Sequence, residues 1–280
     1  MNKIGVRGHD FGKMSIADLP IYIKEKGFDA LQLAPTKAIE GINIFEDITE
    51  KILNEARESF FKNDVEISVY GCYVEVGLLD KEKRLKEVEK FKRGITHSKI
   101  LGAKVIGTET TAFPLHGERE DAYQGLKDSV CRMVEEAERV GVDIALEPVV
   151  TNVLNTPELT KRLLDEVKSD RLKIILDVVN LFTVENIINQ REIINSAFNL
   201  LGDKIKVLHL KDVSLIGKRS IEELNITNGI FCTEFIGNGV VDYKNILSFV
   251  KGKEIPLLRE GATLESYKVD IANVKNMLYS

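Results

Sequence analysis

Cysteine is scarce in this sequence, and long apolar runs are missing. Only three cysteines, Cys72, Cys131 and Cys232, occur among the 280 residues, and no two form a Cys-x-x-Cys pair. An odd number of widely spaced cysteines argues against a disulfide framework or a thiolate zinc site and fits a reducing compartment. No stretch approaches the roughly 18 apolar residues of a membrane-spanning helix, and no export signal is visible. We therefore expect a cytoplasmic protein with no membrane partner.

The chain also lacks an excess of positive charge. Lys and Arg number 39 against 44 Asp and Glu, which gives a net charge of −5. A mildly acidic chain without basic blocks carries no electrostatic signature of nucleic-acid binding. A P-loop, a G-x-S-x-G nucleophile elbow and a complete dinucleotide fingerprint are all missing. Small uncharged or metal-chelated molecules are therefore the expected ligands.

What the sequence does contain is a repeated alternation of short apolar runs and longer amphipathic stretches. The apolar runs, rich in Val, Ile and Leu, lie at 3–6, 30–33, 66–69, 104–107, 143–146, 172–176, 205–208 and 255–258. Helical patterns follow them at 16–26, 46–61, 83–101, 122–140, 157–167, 192–201, 243–250 and 264–278. Continuously apolar strands that alternate with helices predict a parallel sheet buried on both faces. Eight such units predict an α/β fold, a single (β/α)₈ TIM barrel over residues 1–280, with a long loop at 213–242 after strand seven.

Four polar residues stand where consecutive apolar runs end. Glu147, Asp177 and His209 end the fifth, sixth and seventh runs, and Glu260 follows the eighth. Taken alone, each acid is compatible with a helix cap or a solvated strand end, and the histidine with a hydrogen-bonded core residue. In a barrel, however, the carboxyl ends of neighbouring strands point toward one opening. The four side chains are therefore predicted to converge.

Three carboxylates and one imidazole form a ligand set for a divalent cation. Hard oxygen ligands with one nitrogen and no thiolate suit Mn²⁺, our first choice, and also Mg²⁺, Co²⁺ or Zn²⁺. Without a cation, three clustered carboxylates would repel one another. We therefore expect one bound divalent metal ion as the cofactor.

Short segments throughout the chain carry a resemblance to a known family. They are 27–33 (GFDALQL), 101–107 (LGAKVIG), 146–148 (LEP), 176–180 (LDVVN), 209–212 (HLKD), 236–242 (IGNGVVD) and Glu260. In this order they resemble the xylose isomerase-like TIM-barrel superfamily, in particular the sugar isomerase and epimerase branch related to tagatose 3-epimerase and inositol-catabolism proteins. The resemblance implies that the four strand-end residues bind the metal and that Glu147 and Glu260 also act as an acid/base pair. It further implies a sugar, sugar phosphate or polyol substrate, and family members are often homo-oligomers.

The sequence departs from the family pattern at two positions. Asn180 stands where epimerases of the family usually have a histidine, and an amide cannot carry a proton at neutral pH. The family's substrate-binding arginine after strand seven is replaced by Leu215, and the nearest basic residues are Lys218 and Arg219. Arg219 is therefore either a substitute for that arginine or part of a solvated loop.

Further polar residues near strand ends are candidate substrate contacts. Arg7, followed by His9, leaves strand one, and it either points inward to substrate or lies on the surface. Glu109 either orients a substrate hydroxyl or caps the next helix. Lys211 fits the family pattern but is also compatible with a structural ion pair to Asp212. The candidate substrate-binding set is Arg7, Glu109, Asn180, Lys211 and Arg219.

Two other activities in this superfamily compete with an isomerase or epimerase. A dehydratase of polyols or shikimate-type acids shares the metal set, and its first step is the same proton abstraction. An endonuclease IV-like DNA-repair enzyme is a remote alternative, because its histidine-rich three-zinc cluster is incompatible with four histidines in total, with Asn180 and with Glu109. The acidic charge also argues against a phosphate-backbone ligand.

Overall fold

The computed structural model describes residues 2–113, 117–215 and 231–279. Within these ranges ten strands follow one another: β1 (Ile4–Arg7), β2 (Ala30–Leu33), β3 (Glu66–Gly71), β4 (Val105–Glu109), β5 (Ile144–Glu147), β6 (Leu172–Asp177), β7 (Ile205–Leu210), β8 (Asp212–Leu215), β9 (Phe231–Glu234) and β10 (Leu257–Arg259). Eight of them close into a parallel barrel in the order β1-β10-β7-β6-β5-β4-β3-β2. The prediction of a (β/α)₈ barrel is confirmed.

Helices surround the barrel and connect its strands. In the described residues they are α1 (Asp18–Glu25), α2 (Pro35–Ala38), α3 (Glu50–Lys62), α4 (Lys81–Leu101), α5 (Arg119–Val140), α6 (Pro157–Val167), α7 (Gln190–Leu201), α8 (Tyr243–Val250) and α9 (Tyr267–Tyr279). None of these helices is long and apolar enough to cross a membrane. Glycines end α4 and α5, where Gly102 and Gly141 adopt left-handed φ angles of 78° and 79°.

The predicted helices are present, although some of their boundaries differ. The third helix begins at Glu50 rather than at residue 46, because the Thr49 hydroxyl accepts a hydrogen bond from the Ile52 N–H and so caps the helix there. A 3₁₀ turn, Phe45–Asp47, occupies the residues just before it. The short helix α2 was not predicted, since four residues are too few to show a helical period.

Two separate apolar layers hold the barrel together. The larger one fills the space between strands and helices. The smaller one takes one residue from each of seven barrel strands and lies inside the barrel: Ala30, Val69, Val105, Ala145, Ile175, Val207 and Leu258. On β1 the corresponding residue is Gly5, where a Cβ atom would collide with the Leu258 side chain and the Ala30 carbonyl. A glycine is therefore required at that point of the inner layer.

Part of the predicted long loop after strand seven forms a two-stranded antiparallel sheet. β8 and β9 pair antiparallel, with Asp212 opposite Glu234 and Leu215 opposite Phe231. The loop then turns back toward β7, where the buried Asp212 carboxylate accepts hydrogen bonds from the backbone N–H groups of Gly237, Gly239 and Val241. A Cβ atom at Gly239 would collide with that carboxylate. The Gly-Asn-Gly segment thus serves as an anchor for the loop.

Candidate active site

The inner apolar layer sets the direction of the residues that follow it. Because side chains in a strand alternate between faces, a residue two positions beyond an inward-facing one also faces inward. Each predicted ligand stands two positions beyond a member of that layer, in the pairs Ala145 and Glu147, Ile175 and Asp177, Val207 and His209, and Leu258 and Glu260. The barrel therefore directs all four side chains to its carboxyl-end opening.

The structure brings the four predicted ligands together as a candidate metal site. Glu147, Asp177, His209 and Glu260 each offer one ligand atom, and these atoms lie within 4.8 Å of one another. His209 Nδ1 is 3.3 Å from Glu147 Oε1 and 3.4 Å from Glu260 Oε2. The side chains of His209 and Asp177 are each 1% exposed. The site is thus small, nearly closed to water and rich in carboxylate oxygens.

The electrostatics of the cluster reflect this crowding. Burial raises the pKa of Asp177 to about 6, in spite of the opposing charge of Lys211. Burial alone would lower the pKa of His209, but the charge of Glu147 and hydrogen bonds to Glu147 and Glu260 raise it to about 10. Burial also acts to raise the pKa of Glu260, yet hydrogen bonding to His209 and the charge of Lys211 hold it well below its usual range.

One carboxylate oxygen of the cluster indicates that a divalent cation fits there. Asp177 Oδ2 is buried and accepts no hydrogen bond from any residue that the structure describes. Its nearest cation is Lys211 Nζ at 3.3 Å, a contact without hydrogen-bond geometry. Asp177 Oδ1, in contrast, accepts a hydrogen bond from the Val179 N–H at 2.9 Å. A buried acceptor without a donor, beside two more carboxylates and an imidazole, is the arrangement that a divalent cation satisfies.

Gln32 on β2 orients the histidine of the cluster, a contact that the sequence reasoning missed. His209 Nε2 donates to Gln32 Oε1 at 3.0 Å, and Gln32 Nε2 donates to the Tyr73 hydroxyl at 2.9 Å. Because the amide oxygen can only accept, it fixes the proton on Nε2. Nδ1, which faces Glu147 and Glu260, is then the ring nitrogen that would bind a metal after losing the proton that it shares with those carboxylates. Gln32 stands two residues after Ala30 of the inner layer, so strand alternation could have identified it.

Three of the predicted substrate residues contact the cluster directly. Asn180 Nδ2 donates to Glu147 Oε1 at 2.8 Å, and Lys211 Nζ donates to Asn180 Oδ1 at 3.0 Å. Lys211 Nζ is also 3.1 Å from Glu260 Oε1, which receives a second contact from Arg7 Nη1 at 2.8 Å. Lys211 therefore pairs with the cluster rather than with Asp212, and the alternative of a Lys211–Asp212 ion pair is wrong.

The two remaining predicted substrate residues have different outcomes. Glu109 lies in register with Glu147 on the adjacent strand and accepts a hydrogen bond from Asn152 Nδ2 at 3.3 Å. Partial burial and the charge of Glu147 raise its pKa. It does not cap the next helix, because α5 begins at Arg119 with Glu118 at the cap position. Arg219 lies outside the described residues.

A buried ion pair supports Glu260 from outside the barrel. Arg259 Nε is 2.9 Å from Asp270 Oδ2, and the two side chains are 3% and 2% exposed. Arg259 also donates to the backbone carbonyls of Glu260 at 2.6 Å, Leu210 at 3.3 Å and Glu234 at 2.9 Å. One guanidinium thus joins the ends of β10, β7 and β9 to α9.

Comparisons with known proteins place this geometry in a family. A model of the xylose isomerase-like TIM barrel matches residues 21–257. A comparison with curated proteins gives no match. The fold is similar to that of 3-keto-D-glucoside 4-epimerase, YcjR, from E. coli, with a TM-score of 0.74 and 18% identity over 99% of this chain and 100% of that one.

Two further solved structures have the same fold. A D-tagatose 3-epimerase-like protein has a TM-score of 0.76 and 20% identity over 99% of this chain and 97% of that chain. The IOLI protein with a bound zinc atom has a TM-score of 0.70 and 18% identity over 99% of this chain and 95% of that chain. Because the family model covers well over half of the sequence, the protein belongs to the xylose isomerase-like TIM-barrel family.

Proposed function

We propose that the protein is a divalent-metal-dependent isomerase or epimerase of a sugar or sugar phosphate. The observation that carries the proposal is the convergence of four ligand atoms, from the ends of β5, β6, β7 and β10, within 4.8 Å of one another. The names of the structural relatives support the same class, since they include a 3-keto-D-glucoside 4-epimerase and a D-tagatose 3-epimerase-like protein.

Glu147, Asp177, His209 and Glu260 would hold the metal. When bound, a divalent cation would polarise a substrate carbonyl and the hydroxyl on the adjacent carbon, and so make the proton on that hydroxyl-bearing carbon more acidic. Mn²⁺ suits three carboxylates and one imidazole best, and Mg²⁺, Co²⁺ and Zn²⁺ also fit this ligand set. The zinc atom in the structurally similar IOLI protein supports metal binding in this fold.

Glu147 and Glu260 would exchange the proton with the substrate. They extend from β5 and from the end of β10, and both lie against His209 Nδ1, at 3.3 Å and 3.4 Å. One carboxylate would remove the proton from the carbon next to the carbonyl to give an enediolate. The other would return a proton, to the opposite face of the same carbon in an epimerase or to the former carbonyl carbon in an isomerase. Asn180 orients Glu147 through a hydrogen bond of 2.8 Å, and Arg7 orients Glu260 through a contact of 2.8 Å.

The direct test is exchange of solvent deuterium into ketoses and ketose phosphates, with added Mn²⁺ and with a chelator. We expect exchange with Mn²⁺, none with the chelator, and a loss of about a hundredfold or more in Glu147→Gln and Glu260→Gln. Bound metal is measured in each variant, so that loss of the ion is distinguished from loss of the acid or base.

Glu66→Gln is the matched control for these variants. The Glu66 side chain is 18% exposed, close to the 16% of Glu260, but it lies at the amino end of β3. Exchange at the wild-type rate in Glu147→Gln and Glu260→Gln would contradict the acid/base assignment. An unsaturated product formed by loss of water, instead of a rearranged sugar, would identify the protein as a dehydratase.

A further inference from the structure

Two parts of the barrel opening carry different chemistry. The candidate metal ligands occupy the ends of β5, β6, β7 and β10, which are contiguous around the barrel. The ends of β1, β2 and β3 lie across the opening, separated from β5 by β4 and its Glu109, and there the chain places Arg7 and His9, Lys37 on α2, and Tyr73. This group of three strand ends, which we term the β1–β3 side, has three basic side chains.

The cations around the opening differ in whether a carboxylate neutralises them. Arg7 contacts Asp10 at 2.9 Å and Glu260 at 2.8 Å, and Lys211 contacts Glu260 at 3.1 Å. For Lys37, no described residue provides a carboxylate oxygen within 4.0 Å of Nζ. Lys37 Nζ instead lies 3.6 Å from the centre of the Tyr73 ring. A ring face attracts the ammonium but accepts none of its three N–H donors in a strong hydrogen bond, so those donors remain available.

Tyr73 holds Lys37 in a fixed relation to the candidate metal site. The Tyr73 hydroxyl accepts a hydrogen bond from Gln32 Nε2 at 2.9 Å, and Gln32 Oε1 accepts one from His209 Nε2 at 3.0 Å. A continuous chain of contacts therefore runs from Lys37 through Tyr73 and Gln32 to His209. The Lys37 side chain is exposed, and this chain of contacts positions its ammonium relative to the site.

His9 adds a second group with unused hydrogen-bonding capacity. His9 Nδ1 is buried and has no hydrogen-bond partner among the residues with described positions. Burial and the nearby charges of Arg7 and Lys37 lower the pKa of His9 to about 4, so its imidazole is neutral at physiological pH. The Arg7 guanidinium has five N–H donors, and its contacts to Asp10 and Glu260 leave some of them free.

We propose that Lys37, with His9 and Arg7, binds an anionic group of the substrate, a phosphate or a carboxylate, so that the substrate is an anionic sugar rather than a neutral one. The proposal rests on the proposed function for the identity of the reacting sugar. Oxyanions accept several hydrogen bonds at once, and charge-assisted hydrogen bonds from Lys and Arg are the strong ones. The acidic net charge of the whole chain favoured uncharged ligands. That net charge does not describe the β1–β3 side, where Lys37 has no carboxylate oxygen of a described residue within 4.0 Å.

The test measures binding first, because binding does not require turnover. Isothermal titration calorimetry with added Mn²⁺ compares D-fructose, D-fructose 6-phosphate and D-gluconate as neutral, phosphate and carboxylate probes. We expect at least one anionic probe to bind about tenfold to a hundredfold more tightly than D-fructose, which is the range of one or two charge-assisted hydrogen bonds. The anionic probe that shows the preference identifies the phosphate or the carboxylate.

Substitutions at Lys37 decide whether the preference comes from this residue. We expect Lys37→Met to abolish the preference and Lys37→Arg to retain it. Lys26→Met is the matched control, since Lys26 Nζ also lies over a tyrosine ring, 4.7 Å from the centre of Tyr22, but directly after the end of α1. Lys26→Met is expected to keep the full preference.

Three results would overturn the proposal. They are equal binding of neutral and anionic probes, no measurable binding of either anionic probe, and an unchanged preference in Lys37→Met. Deuterium exchange is then measured on the same sugars. If no sugar exchanges, the proposed isomerase fails, whereas the calorimetric preference still decides the anion site independently.

Discussion

The two ends of the barrel differ in how their carboxylates are paired with cations and in how exposed those groups are. At the amino end, Glu66 lies 2.9 Å from Lys3 and 3.8 Å from Lys104. Asp143 lies 2.9 Å from Arg171 and 3.6 Å from Lys206. The four cations there have side chains 43% to 58% exposed, so water shares in solvating them.

At the carboxyl end, the three carboxylates of the candidate metal site lie close together and water is largely excluded from them. Asp177 and Glu147 have side chains 1% and 9% exposed, and their neighbour Glu260 is 16% exposed. Buried like charges destabilise a protein unless something compensates them. At the amino end, exposed cations of the chain pair with each carboxylate, whereas at the carboxyl end Asp177 Oδ2 accepts no hydrogen bond from a described residue and could be compensated by an external cation.

The largest effect that would test this contrast is a loss of stability at the Arg259–Asp270 pair. Arg259→Met should destabilise the fold by about 3–5 kcal/mol, because it leaves a buried carboxylate unpaired. Arg171→Met is the control, since Arg171 Nη1 also lies 2.9 Å from an aspartate oxygen but with 43% of its side chain exposed. That substitution should reduce stability by about 0–1 kcal/mol. Urea unfolding of both variants is the measurement, and equal losses would contradict the comparison.

The second prediction is that Asp177→Asn weakens metal binding but stabilises the metal-free protein. Asp177→Asn should weaken Mn²⁺ binding by about a hundredfold or more, beyond the range for losing a residue that only supports a ligand. In chelator, the same substitution should raise the melting temperature by a few degrees, because it removes a buried charge whose Oδ2 lacks a donor among the described residues.

Asp143→Asn at the amino end is the matched control for Asp177→Asn. The Asp143 carboxylate is paired with Arg171 and Lys206, so its removal should leave the melting temperature unchanged or lower it slightly. Metal titration and thermal unfolding measure both variants. A lower melting temperature of Asp177→Asn in chelator would show that the carboxyl-end charges are already compensated within the chain.

The smallest expected effect is on Mn²⁺ affinity when Gln32, which supports the predicted ligand His209, is replaced. Gln32→Leu removes the acceptor that fixes the His209 tautomer, and we expect Mn²⁺ affinity to fall by about 10- to 100-fold. Gln32→Glu retains an acceptor oxygen and should retain most of the affinity. Calorimetric Mn²⁺ titration distinguishes the two variants, and wild-type affinity in Gln32→Leu would exclude this role for Gln32.

The barrel and its four central residues could be predicted because both depend on local patterns. Apolar runs of four or five residues mark the strands, and Glu147, Asp177 and His209 are the last polar residues of the strands that contain them. Closure of the barrel then converts a position along each strand into a position around one opening. No knowledge of side-chain contacts was needed for that step.

The contacts across the opening could not be predicted in the same way. Gln32 reaches His209 from a strand that is not adjacent to β7, and Lys37 stands on a helix of only four residues. Lys211 and Asp212 are neighbours in sequence, yet one contacts the candidate metal site and the other anchors a loop. Strand alternation indicates that Gln32 faces the opening, but it does not indicate a partner on a strand that is not adjacent. For Lys37 and Lys211, which lie outside the barrel strands, a single sequence does not specify the face of the backbone from which the side chain extends.

The closed order of the eight strands has a consequence for the entropy of binding. A barrel without free edges allows no strand to shift alone, so the four ligand residues cannot vary their spacing independently. Folding therefore restricts the conformational freedom of these residues in advance, so that binding an ion costs little further conformational entropy. The affinity of this site for an ion should accordingly depend on the fit of the ion's radius and charge to a spacing already set.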